Sequence, residues 1–190
     1  MDLAAWLLDA HRDLRTRLDR QVVQQVPTDR WHELADQGGS SISWIMFHLA
    51  RHHDLALNTA IRNKAPLFMA HREALGLSSA DTGAGVSEKE QPAVTAVLTA
   101  EPLMNYVNGV LTAGERWLQR ISAMAFDSIP DTDRRLDRLA QLDRIQFDWL
   151  YSMWTGRTVN WFVQWPILGH GQSHVGEAIS VRNRLGLSPF

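Results

Sequence analysis

The sequence predicts an all-α protein: a four-helix bundle with additional short helices and a long irregular insert. Three observations carry that prediction. Apolar residues recur at helical spacing over several long stretches, no stretch sustains the alternation of a β-strand, and no internal repeat is present. At 190 residues the chain suits one domain, spanning 1–190, and is short for two complete ones.

The first helix is read from Leu3, Trp6, Leu7, Ala10, Leu14 and Leu18, with Asp9, Arg12, Asp13 and Arg15 between them. It runs from about Asp2 to Val23 and stops before Pro27. Gly38-Gly39-Ser40-Ser41 then breaks the chain and offers serines to cap the next helix. That second helix, Ile42 to about Ile61, is apolar nearly all round at its start and polar later, so one end is expected buried and the other exposed.

Residues 64–98 are punctuated by Pro66, Gly76, Gly83, Gly85 and Pro92, and Ser78 to Gly83 reads as loop. An insert this long, bounded by Ala65 and Ala100, is expected to cover a site or pair with a neighbour. Helical spacing resumes over Leu103, Val107, Val110, Leu111, Trp117, Leu118 and Ile121, and Pro102 is tolerable only near that helix's start. Asp131 to Met153 is expected to form one further helix, with Leu136, Leu139, Leu142, Ile145 and Trp149 as its apolar stripe. The last segment runs from Thr158 to about Leu185, is kinked or begun at Pro166, and closes at Gly186 and Pro189.

Composition removes several functions. A net charge of -2 gives no electrostatic reason to expect nucleic acid, and the charged run Asp131 to Arg144 alternates Asp and Arg as a solvated helix surface does. No cysteine is present, which excludes disulfides, thiolate ligands and a cysteine nucleophile. Any metal must use imidazole, carboxylate or water, and any thiol must come from a small molecule. The N-terminus lacks the basic and apolar regions of a secretory signal, and no apolar stretch approaches the roughly 20 residues of a membrane span. A soluble cytoplasmic protein is expected.

The chemistry concentrates in His170-Gly171-Gln172-Ser173-His174-Val175-Gly176-Glu177. Residues four apart share a helix face, so His170 and His174 are placed to share one metal ion. His48, inside the apolar stretch Ile42 to Leu49, is the third candidate ligand. Three imidazoles with open positions make the donor set of a catalytic metal site. The same histidines also fit a satisfied core or a wet surface.

Glu177 lies near the His174 face and is a candidate to orient that ligand, to act as a base, or to pair with Arg182 or Arg184. His52 shares a face with His48 and is a candidate fourth ligand or acid–base group, with partial exposure the plainer expectation; His53 turns away. Gln172 points to another side. His11, His32 and His71 have polar neighbours and are assigned nothing. Gly169, Gly171 and Gly176 are costly inside a helix and imply close packing, a crowded site or a break. Trp149, Trp154, Trp161 and Trp165 cluster ahead of the histidine pair and are expected mainly in the core, with some walling a pocket above the metal. Zinc-protease, nucleophile-elbow and phosphate-loop motifs are absent.

The pattern His170-x-x-x-His174-x-Gly176-Glu177, followed by Arg182 and Leu185-Gly186, resembles the last helix of the DinB-like superfamily. That superfamily includes the YfiT-type proteins and the mycothiol-dependent maleylpyruvate isomerases. Trp44-Ile45-Met46-Phe47-His48-Leu49 resembles its second-helix motif. The resemblance implies a four-helix bundle of DinB-like type that holds zinc, nickel or iron on His48, His170 and His174. It also implies use of a low-molecular-weight thiol such as mycothiol, bacillithiol or glutathione.

The leading expectation is therefore a divalent-metal-dependent thiol S-transferase or isomerase acting on a small-molecule substrate. A metal-dependent hydrolase and a non-enzymatic metal-binding stress-response or interaction module are the alternatives. A plain bundle without metal is the last. A homodimer stays open.

Overall fold

The computed structural model describes residues 2–35, 38–77 and 85–189, and every regular element among them is helical. The loop expected over Ser78 to Gly83 lies outside the described residues. Four long helices form the frame: α1 (Leu3–Leu18), α2 (Ile42–Asp54), then, after the short α3 (Phe68–His71) and α4 (Gln91–Thr95), α5 (Ala100–Leu118). Short α6 (Thr132–Arg135), α7 (Asp148–Trp154) and α8 (Val159–Phe162) lead into the fourth long helix, α9 (His170–Arg184). Within the frame α2 packs on α5 and α9, and α1 packs on the same two, which closes a ring around the core.

The local sequence explains the helix starts. Asp2 caps α1 by accepting from the Ala4 N–H, and Ser41 caps α2 by accepting from the Trp44 N–H. Pro102 sits in the first turn of α5, where its missing N–H has no intrahelical partner to lose. Helix α1 continues through a widened turn to Val23, and α2 through another to Ile61.

The expected exposure of the polar end of α2 is not found. The helix is buried along its whole length, including Arg51, His52, His53, Asp54, Asn58 and Thr59. Asp54 makes this tolerable. Its carboxylate accepts from the backbone N–H groups of Leu67 and Phe68, from Asn58 Nδ2 and from the Tyr106 hydroxyl, at 2.7–3.0 Å. Arg51 lies 3.8 Å away and stacks over the Phe68 ring at 3.9 Å. A buried charge satisfied this fully is stable, whereas removing one member would cost about 3–5 kcal/mol. The same bonds clamp the start of the 65–100 insert onto α2.

The single helix expected over Asp131 to Met153 is also corrected. It breaks at Gln141, which adopts a left-handed φ of 55°. Arg144 turns back to pair with Asp133 and Asp137, so the alternating charges close a turn rather than line one helix face. Ile145 is consequently 91% exposed, and Phe147, Leu150, Tyr151 and Trp154 supply the buried side instead.

Of the three costly glycines, two are explained by contact. A Cβ at Gly171 would approach Leu14 Cδ2 to 2.9 Å, so α9 packs tightly on α1 there. A Cβ at Gly169 would come within 2.9 Å of the Gln164 carbonyl, in the widened Val163–Gly169 turn that accommodates Pro166. Gly176 has open space around it, and nothing in the structure explains it.

Candidate metal centre

Helices α2 and α9 bring four imidazoles together. His48 and His52 come from one turn of α2, and His170 and His174 from the first turns of α9. Ligand atoms of His48, His52 and His170 all lie within 4.8 Å of one another, a group that could hold a metal ion. His174 stands beside this group rather than in it, with its ring centroid 4.3 Å from that of His170 and 4.8 Å from that of His48. The Nε2 atoms of His170 and His174 are 3.1 Å apart. Two nitrogens bound at about 2 Å to one tetrahedral ion would sit about 3.3 Å apart, so this spacing suits a shared cation.

The outer nitrogens fix which atoms face inward. His48 Nδ1 lies 2.7 Å from the Gly85 carbonyl, which only accepts, so Nδ1 carries the proton and Nε2 presents a lone pair. His174 Nδ1 lies 2.7 Å from Glu177 Oε2. That hydrogen bond holds the Glu177 carboxyl below its usual range, so the carboxylate accepts from His174 Nδ1. An imidazole oriented by a carbonyl or a carboxylate is the supported form of a metal ligand. Trp44 stacks on His48 at 5.5 Å and holds its ring plane.

Burial keeps His48, His52 and His170 neutral. It pushes His48 down to about 4, and His170 to about 3, with the neighbouring imidazoles adding to both. His52 is lowered well below its ordinary value for the same reason. Neutral imidazole is the form that binds metal.

One expectation about the site is corrected, and one feature escaped the sequence. His52 is buried among the ligand candidates, not partly exposed as expected. Its spacing of four from His48 was the signal that placed it. Gly85, from the insert, supplies the carbonyl to His48 while its N–H donates to Glu90 at 2.8 Å. Its φ of 65° and a hypothetical Cβ only 2.5–2.6 Å from Arg51 and Phe47 require glycine there. The insert thus reaches the site through Gly85.

Glu177 pairs with His174 rather than with Arg182, whose buried guanidinium reaches the Gln21 carbonyl. Gln172 points to α1 and bonds Arg17. His53 faces the opposite way, against His11. Trp154 is in the core, but Trp149 and Trp165 are not buried as core residues are.

No family model and no curated protein matches the chain. Its fold is similar to that of a crystal structure titled as a conserved protein from Enterococcus faecalis, with a TM-score of 0.67 at 17% identity. The match covers 98% of this chain and 99% of the other. Likeness at that identity shows the all-helical fold. No helix is long and apolar enough to cross a membrane among the described residues.

Proposed function

We propose that this protein is a metal-dependent enzyme of the DinB-like type, in which His48, His170 and His174 hold one divalent ion. The observation that carries the reading is the convergence of imidazoles from two helices, with His48 and His174 backed by Gly85 and Glu177 and the Nε2 atoms of His170 and His174 3.1 Å apart. A divalent ion bound there supplies Lewis acidity, which lowers the pKa of a thiol or water reaching an open position. Zinc is the first choice, with nickel and iron next, because imidazole suits all three. The reaction proposed is transfer or isomerisation using a low-molecular-weight thiol, since the chain has no thiol of its own. Glu177 orients His174 and, at 37% side-chain exposure, is accessible to take a proton from an incoming thiol.

One observation favours a second reading. His52 makes a fourth imidazole available, and four protein ligands close a site and make its metal structural. The protein would then be a binding module, not an enzyme. Hydrolysis by activated water is the remaining enzymatic alternative.

Elemental analysis of untagged protein should find about one divalent ion per chain. His174→Ala should lose it while helix content, followed by circular dichroism, stays intact. Unchanged metal content in that variant overturns the assignment. Activity that requires added thiol separates S-transfer from hydrolysis, and an inert, coordinatively saturated ion supports the module.

A further inference from the structure

Two indoles flank the paired rings of His52 and His170 from outside the core. The Trp149 ring centroid is 6.4 Å from that of His52, and the Trp165 centroid is 6.3 Å from that of His170. The two imidazoles themselves are 4.2 Å apart. Trp149 is 41% exposed and Trp165 46%, while Trp154, which also meets His52 at 6.2 Å, is 1% exposed. The cluster therefore rests on a buried indole and is bordered by two indoles open to solvent. Leaving indoles half exposed forgoes burial that the fold obtained for Trp154.

The Trp165 ring is held in place. A Cβ at Gly169 would sit 3.2 Å from its Cε3 and 3.7 Å from its Cζ3, so the indole lies across bare backbone one residue before His170. A glycine in that helical position is costly, and its lack of a side chain gives the ring this seat. An exposed aromatic ring that is both seated and adjacent to a candidate ligand is placed for contact with something that enters.

The geometry points to Trp149 and Trp165 as specificity-determining walls, which select a small molecule bearing a flat apolar or aromatic group beside its metal-binding atom. The inference rests on the proposed metal centre and adds the class of substrate. Indole faces also attract cations. Here, however, a bound divalent ion leaves the site positive, and the Glu177 carboxylate beside it is turned to His174. An uncharged or anionic donor with an apolar ring meets these surroundings best.

Cobalt(II)-loaded protein tests this with two probes, imidazole and 4-phenylimidazole, read by the cobalt visible spectrum. The phenyl group should tighten binding about tenfold. Trp149→Ala and Trp165→Ala should each reduce that gain to about threefold or less while leaving imidazole affinity within about twofold, which shows the centre intact. If imidazole binds but the phenyl group adds nothing, or its gain survives both substitutions, the wall assignment is overturned and the metal reading stands. If an imidazole carrying a trimethylammonium group outcompetes the phenyl compound, the apolar class is overturned. No spectral response to imidazole removes the open position, and this inference with it.

Discussion

His52 and His53 are consecutive in α2, yet their imidazoles enter different surroundings. His52 joins His48 and His170, with His174 beside them; the outer nitrogens of His48 and His174 reach Gly85 and Glu177, and half-exposed indoles border the edge. His53 turns inward to meet His11 edge-on at 5.2 Å. There both rings are fully buried, and their four nitrogens have no hydrogen-bond partner among the described residues. Both Nε2 atoms lie 2.6 Å from where a Cβ on Gly114 would stand. Burial and proximity are thus common to both groups. What separates them is the oriented outer nitrogen of His48 and of His174, and the partial exposure of His170 and His174.

Metal content gives the largest expected contrast. His48→Ala should take bound metal from about one ion per chain to none, whereas His53→Leu should leave it complete. Loss of metal in His53→Leu would break the distinction between the two groups.

Acid should act on both groups in metal-free protein, and the sign comes from burial. His11 is pushed down to about 4, so between that pH and 6.5 the unfolded chain takes a proton that the folded chain refuses. Stability is complete above 6.5 and falls as pH drops toward 4, by on the order of 3 kcal/mol for this one residue. Urea unfolding across that range should show His11→Leu with a shallower slope, by up to about 1.4 kcal/mol per pH unit. An unchanged slope would mean that His11 is not held neutral.

Two glycines sharpen the contrast at the smallest scale. Gly114→Ala drives a methyl against both His11 and His53, and urea unfolding should register a loss of about 2 kcal/mol. Gly176→Ala meets nothing within 4 Å and should gain up to about 1 kcal/mol from helix propensity. A gain at Gly114 would show that the histidine pair yields easily and is loosely packed.

Several features came from local sequence alone. Periodicity located α1 and α5, an apolar run after the Gly38–Ser41 break located α2 with Ser41 as its cap, flanking Gly and Pro bounded the segment that holds α9, and the spacing of His170 and His174 placed them on one face. These depend on neighbours within a turn or two, which is why they are legible without a fold. The buried polar end of α2 depends instead on Leu67, Phe68 and Tyr106, which satisfy Asp54 from elsewhere in the chain. The break at Gln141, the Gly85 carbonyl against His48 and the exposure of Trp149 and Trp165 were likewise decided by packing. A side chain's type and period say which face it prefers. Whether a polar group can be buried there is settled by a distant partner, which only the tertiary structure supplies.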